Sequence, residues 1–101
     1  MKVIYTDQSY ERLEESMNFL LEIQGIPLDK VREIGSKLLD RADSLANSPH
    51  IGQYEDYLHH LGKGHRRLVE GVFKIIYRIE GDYIFIIDFF DTRQNPDKMK
   101  G

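Results

Sequence analysis

The chain has 101 residues, a net charge of −3 and no cysteine. This length fits one compact domain, and the lack of cysteine excludes disulfides and thiolate metal sites. The negative net charge argues against a protein that binds nucleic acid, because Lys and Arg side chains dominate the affinity for phosphate. It favours a protein partner. No stretch approaches the roughly 20 apolar residues of a membrane helix, and no signal peptide is recognisable, so we expect a cytoplasmic protein.

The N-terminal half predicts a strand followed by two helices. Residues 3–5 form a short β-prone run, after which apolar residues recur at helical spacing as far as Gly25. A second apolar stripe begins at Val31 and ends before Pro49. Few residues separate the two helices, which predicts an antiparallel hairpin. A close crossing of the first helix would explain Gly35, which otherwise weakens the second.

The C-terminal half predicts a three-stranded antiparallel meander. Residues 50–64 form a connector rich in Gly, His and Tyr. β-branched and aromatic runs then cover residues 65–70, 72–79 and 83–90, and two short turns containing glycine divide them. The tail from residue 95 is polar, and we expect it to be loose.

The predicted architecture is therefore α+β with the order β-α-α-β-β-β, a helical hairpin packed on a small antiparallel sheet. Residues 3–5 are free to join an edge of this sheet. Residues 1–96 should form a single domain and residues 97–101 a polar tail. The apolar sides of the helices and of the second run should meet in one core. Its expected members are Leu13, Leu20, Val31, Leu38, Phe73, Ile75 and Tyr77.

The last run is more apolar than a strand with one solvated face requires. Only Asp88 interrupts residues 83–90, and residues 84–87 are unbroken. This composition predicts either a central strand or a face that something else covers. We also expect apolar surface exposed on the isolated chain.

The only basic cluster of the chain lies in the second half. Residues 58–69 carry three Lys or Arg and three His with no acidic residue; this is either a patch for phosphate or an acidic partner, or a solvated loop. Lys74 and Arg78 share the mixed face of their strand about 13 Å apart, and Arg93 follows the last strand. Adjacent His59 and His60 cannot easily share a tetrahedral ion, so we predict no metal and no cofactor.

Five segments in order resemble the RelE/ParE toxin superfamily of type II toxin–antitoxin systems, and more closely its ParE branch. They are Ser-Pro-His-Ile-Gly-Gln at 48–53, Gly-His-Arg-Arg-Leu at 64–68, residues 71–79, Ile-Phe-Ile-Ile at 84–87, and Asp-Thr-Arg-Gln-Asn-Pro at 91–96. The likeness extends from residue 3 to residue 96.

The ParE resemblance implies a plasmid-stabilising toxin that poisons DNA gyrase by binding rather than by catalysis. A cognate antitoxin would wrap the toxin in a hetero-oligomer and account for the apolar excess of the last strand. The residues expected to bind the target are Arg66, Arg67, Arg78 and Arg93. The residues expected to bind the antitoxin are Ile84, Ile86 and Phe90.

The RelE resemblance implies a different activity, metal-independent cleavage of messenger RNA on the ribosome. The residues that would then carry catalysis are His65, Arg67, Lys74 and Arg93. However, Val69 stands where that branch has a basic residue, and no Tyr, His or Glu follows Arg93, so the general acid/base position looks empty. A third alternative is a non-toxic binding module with the same fold.

Overall fold

The computed structural model describes all residues from Met1 to Gly101, and it confirms two helices packed on a sheet in the predicted order. The elements are β1 (Lys2–Tyr5), α1 (Asp7–Asn18), α2 (Leu28–Asp43), β2 (Gln53–Tyr54), β3 (Arg66–Glu70), β4 (Phe73–Glu80) and β5 (Tyr83–Asp91). The strands form one sheet in the order β1-β5-β4-β3-β2. None of the helices combines the length and the apolar character that crossing a lipid bilayer requires.

The sheet is mixed rather than purely antiparallel. β3, β4 and β5 form the predicted meander, with Gly71 and Gly81 in the left-handed region at its two turns. β1 pairs parallel to β5. Parallel neighbours need a long connection, and here the two helices and the strands β2, β3 and β4 supply it. The two-residue edge strand β2 was not predicted, since its side chains show no alternation and both are exposed.

Both predicted helices begin close to their sequence signals. Thr6 caps α1, its hydroxyl oxygen accepting from the Ser9 amide at 3.1 Å. The first helix was predicted to run to Gly25, but α1 ends at Asn18 and one π-helical turn, Phe19–Ile23, follows it. The apolar spacing continues through this turn, so the sequence pattern did not reveal the change.

The main core lies between the helices and one face of the sheet, which we call the helix face. Of the seven predicted core residues, six are at most 5% exposed and Leu13 is partly buried against them. The helices contribute Leu20, Val31, Leu38, Ala42 and Leu45, and the sheet contributes Leu68, Phe73, Ile75, Tyr77, Ile84, Ile86 and Phe89. The periodicity therefore predicted the core correctly.

The opposite side of the sheet, which we call the second face, has its own smaller core. Ile76 pairs with Asp88 but Tyr77 pairs with Ile86, so Ile87 is an extra residue that forms a bulge in β5. The bulge shifts the alternation along β5, so that Ile86 and Phe89 lie in the main core while Ile87 and Phe90 lie in the second core. The buried residues of the second face are Leu58, Ile76, Ile87, Phe90 and Met99. Met99 belongs to the tail predicted to be loose; that prediction is wrong, because the tail packs on this face.

Gly35→Ala should raise the free energy of unfolding by about 0.5–1 kcal/mol, because Gly35 lies within α2, where alanine favours the helix. A Cβ added there would meet only the Met17 sulfur, at an ordinary contact distance of 3.5 Å. The close crossing suggested by the sequence is therefore absent. Chemical denaturation of the two proteins measures the difference.

Gly52→Ala is the matched control, because a Cβ at this position has no space. It would lie 2.5 Å from the Tyr77 hydroxyl and 2.7 Å from the Arg67 carbonyl oxygen. We expect this substitution to destabilise the fold. Equal effects of the two glycine substitutions would contradict the packing described here.

Candidate target-binding surface

The four arginines predicted to bind a target do not share one surface. Arg66 pairs with Tyr77, which points to the helix face, whereas Arg67 pairs with Ile76 on the second face. Arg78 also lies on the second face, because it alternates with Tyr77 along β4. The predicted set is therefore divided between the two sides of the sheet.

Lys74 and Arg67 meet at a buried carboxylate on the second face. The Glu55 side chain is only 4% exposed, and its Oε1 lies 2.7 Å from Lys74 Nζ. Its Oε2 accepts from the Tyr57 amide at 3.1 Å and lies 4.0 Å from an Arg67 nitrogen. Burial alone would raise the pKa of Glu55, but these contacts lower it overall, so the carboxylate is charged. Lys74 thus forms an ion pair and does not simply extend to water.

Sequence reasoning missed Glu55. It lies in the connector, 19 positions from Lys74, and only the pairing of β2 with β3 and of β3 with β4 brings the two together. The one available signal was a carboxylate at the start of the short helical turn Asp56–Leu61, which Glu55 caps.

Arg66 and Arg67 also hold the connector against the edge of β3. Arg66 donates to the Gly52 carbonyl oxygen at 2.7 Å, and its guanidinium lies 4.2 Å from the centre of the Tyr54 ring. Arg67 donates to the Tyr54 carbonyl oxygen and, at 3.1 Å, to Gln53 Oε1. Both arginines therefore have structural partners within the chain.

Arg93 and Arg78 are paired as well, at opposite ends of β4 and β5. Arg93 makes two parallel bonds to Asp91, 3.0 Å from Nε to Oδ1 and 2.7 Å from Nη2 to Oδ2. Burial alone would raise the pKa of Asp91, but the bonds from Arg93 lower it overall. Arg78 binds Glu80 and lies over the Phe85 ring at 5.0 Å. Arg78 and Arg93 therefore each lie beside a carboxylate of the same chain.

His65, the residue that could serve as an acid or base in RNA cleavage, is buried. It is 3% exposed, and neither ring nitrogen has a hydrogen-bond partner. Burial, and then the nearby charges of Arg78 and Lys63, lower its pKa, so the ring is neutral. It lines a cavity of about 460 Å³ together with Tyr54, Glu55, Asp56, His59, Gly62 and Gly64.

The protein should lose stability as the pH falls from 7 towards 5, and His65 should contribute to the loss. The unfolded chain binds a proton at His65 near pH 6.5, whereas the folded chain does so only at lower pH. The unfolded state therefore gains protons first, and stability decreases through this interval. Denaturation at several pH values measures the effect.

His65→Phe is the control for this pH dependence. The pH dependence between 7 and 5 should become shallower in the variant, since the phenyl ring does not titrate. Glu55 and Asp91 have lowered pKa values and act in the same direction at more acidic pH. Burial raises the pKa of Asp88, which opposes them. An unchanged dependence in His65→Phe would contradict the assignment.

The predicted antitoxin-binding residues are covered by the protein itself. Ile84 and Ile86 are 0% exposed beneath the helices, and Phe90 is 2% exposed in the second core. β5 is a central strand with both faces covered, which explains its apolar composition without a partner. The prediction that these side chains form an exposed groove is therefore wrong.

Two apolar grooves occur instead beside the helices. A shallow groove of about 470 Å³ lies between the first helix and α2, and a smaller one of about 220 Å³ lies between α2 and the β3–β4 turn. The apolar residues of the larger groove are Met17, Leu21, Leu28, Val31 and Leu39. No three or more metal-ligating side chains of the chain converge on one point.

Comparison with known proteins agrees with this fold. The family described as the ParE toxin of the type II toxin–antitoxin system parDE matches residues 3–96, which is nearly the whole chain. No curated protein matches the sequence. The family match covers both helices and, apart from Lys2, all five strands. The chain belongs to the ParE toxin family of type II toxin–antitoxin systems.

Proposed function

We propose that this toxin acts in the cytoplasm by binding and inhibiting DNA gyrase, without catalysis, and that a cognate antitoxin neutralises it. Membership of the ParE family supports an antitoxin partner, and the resemblance to ParE-like toxins implies gyrase as the target. The net charge of −3 also favours a protein over a nucleic acid as the target.

The observation that carries the non-catalytic proposal is the internal pairing of the cations a ribonuclease would need. Lys74 binds Glu55 and Arg93 binds Asp91, so RNA phosphates would have to compete with carboxylates already in place. His65 is buried, and a proton donor or acceptor must reach the reacting oxygen. Both features favour binding over RNA cleavage.

The gyrase contact is best supported at the connector edge of the sheet. Tyr54 is 60% exposed, and the guanidinium of Arg66 lies over its ring. Tyrosine and arginine are the residue types that most often dominate protein interfaces. Arg67 lies beside them on the other side of the strand, while Arg78 and Arg93 would contact the target at more distant points.

The antitoxin contact is best supported at the groove between the helices. This groove presents apolar side chains to a partner. Ile84, Ile86 and Phe90 are buried, so a partner cannot reach them. An amphipathic segment laid into such a groove would anchor through apolar residues at helical spacing. Toxin and antitoxin would then form a hetero-oligomer.

One observation favours the alternative, a ribosome-dependent ribonuclease. Glu55, Lys74 and Arg67 lie together on the second face, and a carboxylate beside two cations could in principle move a proton and stabilise a phosphorane. The arrangement would have to open first, because the carboxylate is 4% exposed and bound on both oxygens.

Induced expression without an antitoxin tests the proposal in cells. We expect growth arrest with a DNA damage response and intact messenger RNA. Arg66→Ala combined with Tyr54→Ala should reduce toxicity at an equal protein level, whereas Lys37→Ala, an exposed helix cation, should not. Rapid loss of messenger RNA without DNA damage would contradict gyrase as the target.

A further inference from the structure

Of the C-terminal residues 96–101, which we call the strap, all but Pro96 lie outside the part of the chain that the family match covers. They turn once through a short helical segment, Pro96–Lys98, and then cross the second face. Met99 enters the second core at 8% exposure and contacts the cluster formed by Ile76, Ile87 and Phe90. The strap therefore covers apolar surface in the middle of the sheet.

A single buried carboxylate connects the strap to the rest of the fold. Asp88 is 0% exposed at the β5 bulge, and its Oδ2 accepts from the Lys100 amide at 2.9 Å. Its Oδ1 accepts from Arg12 Nε on α1 at 2.8 Å. Arg12 also donates to the Lys98 carbonyl oxygen at 3.2 Å. One ion pair thus joins the helix, the central strand and the strap.

The remaining contacts of the strap are few, and they include the packing of its last residue, Gly101, against Leu61 and His65. Met99 is its only buried side chain, and Asp97 accepts a hydrogen bond from the exposed Tyr57 hydroxyl. Segments with few buried apolar contacts open at a lower free energy than the whole protein. Opening would also return the Asp88 carboxylate to water, where a charge needs no partner.

We propose that the strap opens and closes over the second face as a unit, and that the buried Arg12–Asp88 ion pair is its latch. The closed strap requires Asp88 to be buried, and burial of a carboxylate is tolerated only while Arg12 compensates it. Loss of Arg12 therefore penalises the closed state and leaves the open state unaffected, which shifts the population towards open. Opening uncovers Ile76, Ile87 and Phe90 beside Lys74, and so controls access to this face.

Hydrogen exchange of the full chain tests the latch. The Lys100 amide donates to Asp88 across the closed contact, whereas the Lys98 and Met99 amides bond within the local turn to Asn95 and Pro96. In the unsubstituted protein the Lys100 amide should exchange faster than the amides of β4, because the strap opens without global unfolding. Arg12→Gln should accelerate the Lys100 amide by about 10- to 100-fold, which corresponds to the free energy of one hydrogen bond to a charged group, with a much smaller change in β4. Lys37→Gln, which removes an exposed helix ion pair, should change neither.

A thiol probe gives a second reading that does not depend on amide exchange. Because the chain has no cysteine, Met99→Cys introduces one thiol on the buried side of the strap and Leu45→Cys introduces one in the main core. The first should react with a thiol reagent much faster than the second, and Arg12→Gln should accelerate only the first. If Arg12→Gln does not fold, Asp88→Asn should show a smaller acceleration, since a neutral amide costs less to bury. A Lys100 amide that exchanges only at the rate of β4, or latch variants that leave both probes unchanged, would overturn the proposal.

Discussion

Leu38→Ala should lower the free energy of unfolding by about 2–5 kcal/mol, the range for buried leucines cut to alanine. Leu38 lies in the middle of α2 and is 1% exposed in the main core. Its loss removes apolar contacts and leaves a cavity that the rigid sheet beneath cannot fill. Denaturant unfolding of both proteins, with an unchanged slope, gives the difference.

Leu28→Ala is the matched control for Leu38→Ala. It is the same substitution in the same helix, but Leu28 is 48% exposed at the first position of α2. We expect a cost within about 1 kcal/mol, because exposed substitutions remove little buried surface. Comparable losses for the two leucines would mean that the orientation of α2 is wrong.

Lys74→Met should be the second large effect, a loss of about 3 kcal/mol in the free energy of unfolding. The substitution keeps the apolar stem of Lys74 but removes the ammonium that compensates the buried Glu55 carboxylate. Arg67, at 4.0 Å, can compensate only in part. The folded protein must then keep a poorly paired charge away from water.

A double variant distinguishes charge from packing at this position. Adding Glu55→Gln to Lys74→Met should recover much of the lost stability, because the neutral amide can still accept from the Tyr57 amide. Lys37→Met, which removes an exposed pair with Glu33, should cost no more than about 1 kcal/mol. No recovery in the double variant would show that Lys74 acts through packing and not through Glu55.

The periodicity of the sequence was sufficient to predict the order of the elements and the main core. Leu38, Ile75 and Tyr77 could be placed because helices and strands repeat their buried positions at fixed, different periods. The face of β4 that carries Lys74 and Arg78 followed from the same alternation. The apolar composition of β5 predicted either a central strand or a strand with one face covered by something else. The structure shows that β5 is a central strand.

The candidate site could not be predicted, because its contacts join distant parts of the chain. Glu55 reaches Lys74 only through strand pairing, and Asp88 reaches Arg12 across 76 positions. The bulge at Ile87 changes which side chains share a face, and apolar spacing alone does not mark it. Cations that look isolated in the sequence are therefore members of ion pairs in the structure. The isoleucines that were expected to bind the antitoxin belong to the core.

Assay of purified gyrase tests the central claim most directly. Supercoiling of relaxed plasmid DNA by gyrase should be inhibited by this protein, with accumulation of cleaved DNA, and preincubation with the antitoxin should abolish the effect. In parallel, ribosomes programmed with messenger RNA should leave that RNA intact when the protein is added. Unaffected gyrase, together with cleavage of ribosome-bound RNA that Arg93→Ala or His65→Ala abolishes, would contradict the account.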